Sequence, residues 1–286
     1  MSKAAQPMEL TDKVLEAAKK GDAPALSALL LGGADPAASD AHGLTPLMMA
    51  AMGHPECVAM LLEAGAPPDA KSGDGWTAPM RAAWRGSLEC LKLLIDAGCD
   101  LDASDANGWT ATFLAAGNGR TEALKMVLDA GGQVDSKDCL GATPAILAAG
   151  EGCAGCLSVL MDAGCDLEAT SVNGWTALMR AAESNERATL GILLKAGVGL
   201  DRRNANGWTA AMMAARGGFL DVLSDLMAAG CDLDVVDDKG RNAESFAKDF
   251  GHVECSEALK VEQERRAVGQ ASLIPMPSAK QGRPRV

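Results

Sequence analysis

The chain has no tyrosine, four phenylalanines and five tryptophans, so aromatic residues make up only 3% of its 286 positions. Its interior must therefore be built from Ala, Leu, Met, Val and Cys, small or flexible side chains that suit short, closely packed helices. Only three histidines occur, His42, His54 and His252. They read as standing at unlike positions in separate parts of the chain, which offers neither a catalytic triad nor a metal set. Positive charge is also scarce: 26 Lys and Arg face 38 Asp and Glu, a formal net charge of −12. That balance disfavours nucleic acid as a partner and favours a protein with a basic or extended segment. No run of 18 apolar residues is present, and residues 1–10 carry no leader pattern, so the expectation is a soluble protein, cytoplasmic or nuclear, without membrane insertion. No Walker or dinucleotide glycine fingerprint occurs, and no carboxylate pair stands out for acid–base work. Neither an enzyme nor a cofactor is expected.

What the chain does have is one short phrase said many times. Gly-Trp-Thr-Ala occurs at 75–78, 108–111, 174–177 and 207–210, with Gly-Leu-Thr-Pro at 43–46 and Gly-Ala-Thr-Pro at 141–144. The threonines, Thr45, Thr77, Thr110, Thr143, Thr176 and Thr209, are spaced by 32 once and by 33 four times. A fixed period of this length marks a solenoid, in which each unit buries its apolar face against its neighbours.

Within a unit such as 106–138, Asn107-Gly108 signals a turn and Thr110 is placed to cap a first helix with its hydroxyl. In two units proline follows, Pro46 and Pro144, where its missing N–H costs nothing. Gly119 separates a second helix bearing Leu124, Val127 and Leu128 on one face, which stops near Gly131. About eight residues rich in Asp then return to the next Gly-Trp-Thr as a finger.

These residues resemble the ankyrin repeat, through the Gly-x-Thr-Pro/Ala phrase, the paired alanines Ala50-Ala51 to Ala214-Ala215, and Met60-Leu-Leu-Glu-Ala-Gly-Ala66. The resemblance covers roughly residues 9–260. It implies an all-α repeat solenoid of stacked helix-turn-helix units with protruding β-hairpin-like fingers. The family's first-helix histidine is Met48, Met80, Phe113, Ile146, Met179 or Met212 here, so apolar packing is expected in its place. The layout is a disordered 1–8, a capping unit 9–40, six full repeats over 41–237, a capping unit 238–260, then 261–286 as a helix end and disordered basic tail beginning near 267.

The resemblance also places Trp76, Trp109, Trp175 and Trp208 towards the concave face, as two neighbouring pairs with Leu140 between them. They are candidate anchors for a partner, or a row that stiffens the fingers. Side chains that break the repeat at first-helix ends are the candidates for specificity: Trp84, Arg85, Asn118, Glu151, Glu183, Ser184 and Arg216. A ladder of acids, Asp69, Asp102, Asp135, Glu168, Asp201 and Asp234, precedes each cap by eight residues. It either steers a basic partner or shapes turns and keeps the solenoid soluble. Nine cysteines read as small buried hydrophobes, since equivalent positions about 8–10 Å apart are too distant to bridge. Cys153-Ala-Gly-Cys156 at a helix start is the exception, where a lowered thiol pKa is conceivable. The function expected is a non-catalytic scaffold or adaptor that binds another protein in its groove; the alternative is a permanent structural subunit of a large assembly.

Overall fold

The computed structural model describes residues 5–271, and among them are sixteen α-helices and no strand. They alternate in pairs. The first four pairs are α1 (Ala5–Lys20) and α2 (Ala23–Leu31), α3 (Pro46–Ala50) and α4 (Pro55–Glu63), α5 (Ala78–Arg85) and α6 (Leu88–Asp96), α7 (Ala111–Gly117) and α8 (Thr121–Asp129). The remaining four are α9 (Pro144–Gly150) and α10 (Ala154–Asp162), α11 (Ala177–Glu183) and α12 (Arg187–Ala196), α13 (Ala210–Gly217) and α14 (Leu220–Ala228), α15 (Ala243–Asp249) and α16 (Val253–Ala271). First helices pack on first helices and second on second, which makes an all-α repeat solenoid.

Each first helix starts where its threonine says it should. The hydroxyls of Thr45, Thr110, Thr143, Thr176 and Thr209 accept from the N–H three residues on, at 3.2–3.4 Å, which satisfies one of the free donors of the first turn. Asn242 takes the same slot in the last unit and accepts from Ser245 at 3.0 Å. Thr77 differs in its buried hydroxyl, which finds no partner among the described residues; its N–H points at the Met80 sulfur, 3.3 Å away, as that of Thr209 does at Met212, 3.4 Å away. The paired alanines from Ala82-Ala83 to Ala214-Ala215 are fully buried, and with only a methyl to accommodate they let neighbouring first helices approach closely. Met48, Met80, Phe113, Ile146, Met179 and Met212 lie buried, the apolar replacement expected for a polar link.

The fingers are turns, each shaped by one side chain five residues before the cap. Asp40, Asp105, Asp138, Asn204 and Asp237 accept from the N–H groups two and four residues on, at 2.8–3.0 Å; Ser72 and Ser171 serve the second of these. One main-chain bond then joins each finger to the next, among them Gly73 N–H to His42 O at 2.7 Å, Cys139 to Asn107 at 2.8 Å and Ala205 to Asn173 at 2.9 Å.

Two boundaries differ from the sequence expectation. Helix α1 starts at Ala5, within the stretch 1–8 expected to be disordered, because Pro7 falls in a first turn that needs no N–H. Helix α16 runs to Ala271, past 267, and is tied down as far as Arg266. Arg266 donates to Cys231 O at 2.6 Å and Met227 O at 2.9 Å, and Glu262 accepts from both Arg265 and Arg266. The remainder of those expectations, 1–4 and 272–286, lies outside the described residues.

Thr143→Ala is expected to lower stability by about 1 kcal/mol, the usual loss for a removed cap, read as a lower urea midpoint at unchanged slope. Asp237 gives a pH dependence. Its burial pulls the carboxyl up, but the N–H groups of Arg241 and Lys239 and the Arg241 guanidinium outweigh that and hold it below the usual value. A depressed pKa contributes stability above the unfolded value and loses it as pH falls through the folded one. Asp237→Asn, which keeps the acceptor that Asn204 provides elsewhere, should lower stability at pH 7 and flatten its fall below about pH 4, measured by urea unfolding across that range.

Candidate functional site

At most steps of the stack, α3 against α5 excepted, first helices lie against one another more intimately than second helices do. The stack therefore curves with the first helices and fingers on its inner side, and this is where the repeated tryptophans fall. Trp76, Trp109, Trp175 and Trp208 are all half-buried, and each is engaged by its own helix, Trp208 by the next unit as well. Trp76 meets Trp84 edge-on at 6.3 Å, Trp109 stacks on Phe113 at 6.4 Å, and Trp208 meets Phe246 of the next unit edge-on at 5.2 Å. Among the described residues no ring contact joins Trp76 to Trp109 or Trp175 to Trp208. Arginines complete the picture: Arg81 lies 5.6 Å over Trp76, Arg180 5.0 Å over Trp175 and Arg216 5.3 Å over Trp208, reaching Phe250 as well. Such stacking keeps the guanidinium near the ring and the ring pinned to its helix.

One position lacks its ring. Counted from the caps, the residue equivalent to Trp109 and Trp175 is Ala142, 33 positions from each, whereas Leu140 aligns with the finger residues Asn107, Asn173 and Asn206. The assignment of Leu140 to the tryptophan slot is thus corrected by two residues. With a methyl in place of an indole, a hollow of about 390 Å³ opens on the inner face. Trp109 and Phe113 line it from one neighbouring unit, Trp175, Arg180 and Ser184 from the other, with Leu147 and Gly150 between and Leu140 and Glu151 at its rim. Leu140 is 57% exposed at the finger, and Gly150 adds no side chain to fill the space.

Four candidates, Trp109, Glu151, Trp175 and Ser184, come together here, and Glu183 stands beside them, bonded to Arg180 at 2.9 Å. The other candidates lie along the same inner edge but away from the hollow. Trp84 is 37% exposed and Arg85 exposed at the end of α5; Asn118 ends α7 with its amide on Leu114 O at 2.8 Å, and Arg216 spans two rings. Phe113, Arg180, Leu147 and Ala142 also line the hollow and were not among the sequence candidates. For Ala142 the signal was present as the single alanine in a slot otherwise Leu, Trp or Arg.

The acidic ladder turns out to be built into the backbone. Asp69 accepts from Asp100 N–H at 2.8 Å, Asp102 from Gln133 at 2.9 Å, Asp135 from Asp166 at 3.1 Å, Glu168 from Gly199 at 2.7 Å and Asp201 from Asp232 at 2.8 Å. Each carboxylate thus holds the unit after its own. Asp234 closes the series on Gln263 at 3.2 Å. The histidines also have a shared role that their scatter hides: His54 and His252 are 198 positions apart, the same slot six units on. Their Nε2 atoms bond Lys19 O and Arg216 O, both at 3.0 Å, and Arg120, in that slot too, donates to Trp84 O at 3.2 Å. A Cβ on Gly21 or Gly218 would overlap the imidazole, so these positive-φ turns must stay glycine.

The cysteine pair at 153 and 156 has no activated thiol. Burial pushes both thiols up, reinforced at Cys153 by Glu151 and Glu186, the opposite of the lowering a helix start allows. Cys156 donates to Ala115 O at 3.8 Å, as Thr189 in the same slot does to Ala149 O at 2.9 Å. Burial likewise pushes Cys99 and Cys231 up to about 12 and Cys165 to about 11. Among the described residues all nine cysteines are free, no group of three metal-binding side chains assembles, and no helix is long and apolar enough to cross a membrane.

The family model described as ankyrin repeats in three copies matches residues 14–105, 64–138, 80–171 and 113–204, and that of the single ankyrin repeat matches 206–238. No curated protein matches the chain.

If the ladder acids are braces, Asp102→Ala should cost about 1–2 kcal/mol by orphaning the Gln133 N–H, seen in thermal melts. Partner association should keep the same salt dependence; a flattened salt slope would instead make Asp102 a steering charge.

Proposed function

The chain belongs to the ankyrin-repeat family, and from that we propose that it is a non-catalytic adaptor, holding a partner protein by a basic or extended segment on its inner face, with the Ala142 hollow as principal anchor site. Ankyrin repeats are generally protein–protein interaction modules. The observation that carries the reading is the hollow itself: where Trp76, Trp109, Trp175 and Trp208 hold rings, Ala142 leaves a recess flanked by two of them. A recess walled by aromatic side chains and rimmed by polar ones is the usual setting for an interface hot spot. The surrounding rings and arginines are held by their own helices, so little freedom is lost on binding. The net charge of −12 favours a partner of opposite sign, with association faster at low salt. Trp84, Arg85, Asn118, Glu183 and Arg216 extend the contact along the groove, and the protein acts where such partners are, in the cytoplasm or nucleus.

Ala142→Trp tests this without removing any contact, because it installs the side chain that four other units carry at the same slot. The variant should melt at or above the wild-type temperature and capture partners from lysate at least about tenfold less well, the scale of an interface hot spot. Equal capture by the two proteins, with both folded by circular dichroism, would remove the hollow from the interface.

A further inference from the structure

The charges around the Ala142 hollow are unevenly matched. Asp138, Glu151 and Arg180 line it. Arg180 is committed to Glu183, and Asp138 accepts from Leu140 and Ala142 N–H. Glu151 is exposed at the end of α9, and among the described residues it makes no ion pair. The recess thus pairs aromatic walls with an unmatched carboxylate, a combination suited to a guanidinium or ammonium group, which gains from both.

The chain carries such groups in one segment beyond α16. Residues 272–286 read Ser-Leu-Ile-Pro-Met-Pro-Ser-Ala-Lys-Gln-Gly-Arg-Pro-Arg-Val, with Lys280, Arg283 and Arg285 and no acid. Taking those three cations from the net charge of −12 leaves −15 on residues 1–271.

Reach decides whether the two can meet. The unit holding Ala142 is three steps from the last unit, about 30 Å along the stack, and α16 belongs to the second-helix layer, about 10 Å further across at the spacing of packed helices. Fifteen residues span up to about 50 Å, and the twelve from Ala271 to Arg283 about 40 Å. On the way lie Trp208 and Phe250, the latter 50% exposed, where Leu273, Ile274 and Met276 would find apolar cover.

We infer that residues 272–286 of this same chain dock along the inner face, with Arg283 and Arg285 in the Ala142 hollow beside Glu151 and Trp109, as an intramolecular competitor of the partner. This rests on the reading of the hollow as a binding site. A tethered segment competes at an effective concentration in roughly the millimolar range, so an outside ligand must displace it.

Zero-length carbodiimide coupling of the dilute full-length protein tests the placement, since it joins an amine to a carboxylate only when they touch. Mass spectrometry should find Lys280 linked within one molecule to Glu151 or Asp138. The yield should fall about tenfold, the scale of one cation–π contact, in Arg283→Glu with Arg285→Glu, and in Ala142→Trp. Excess synthetic peptide of sequence 272–286 should suppress it too. The tail variants alter no residue of the solenoid, so a lost link in them cannot come from unfolding. Absence of the Lys280 link, indifference to the variants, or a yield that rises with protein concentration and so reports a second copy, would each overturn the inference. Partner capture abolished by Ala142→Trp with no Lys280 link would leave the hollow as the partner's site and take the tail out of it.

Discussion

No unit of this protein can stand alone, and the bonds passed from each unit to the next are what everything else depends on. A finger carboxylate in one repeat accepts the backbone N–H of the following repeat 31 residues later, while a single main-chain bond ties finger to finger. On the helical side, His54, Arg120 and His252, each just before a second helix, reach back to a carbonyl near the end of the previous first helix. These links satisfy polar groups that a short helix and a tight turn would otherwise leave exposed or unpaired. They also set the spacing at which the alanine faces meet.

That spacing creates the inner face. Alanine pairs bring first helices close, the second helices with their leucines sit further apart, and the difference bends the stack towards the fingers. A bulky ring in the slot beside the cap then fills most of the inner surface. Because the backbone is fixed by the bonds on either side, an alanine in that slot cannot be compensated by collapse. The omission of one indole becomes a recess instead of a local shrinkage.

The repeat made most of this legible. Period, cap, helix pair and family followed from the threonines and the residues around them, since local and tertiary preferences agree at those positions. The site was harder. Trp109, Glu151, Trp175 and Ser184 stand out in the sequence as repeated or as odd and do share a recess, but neither property shows which of them meet. Leu140 is the more conspicuous apolar side chain, but it stands two residues before the slot beside the cap, which Ala142 occupies. The acidic ladder could not be read as a brace, since its partners are backbone N–H groups of another unit and carry no sequence mark. The equivalence of His54 and His252 was available by counting, yet their role depends on carbonyls that any residue provides.

The recess also has an address within the array. It is shared by the units at 106–138, 139–171 and 172–204, with at least two further units on either side. In a chain held by nearest-neighbour contacts, opening begins at the termini and moves inward one unit at a time. The Ala142 hollow is therefore among the last places to fray, and its walls keep their arrangement while the outer helices exchange with solvent.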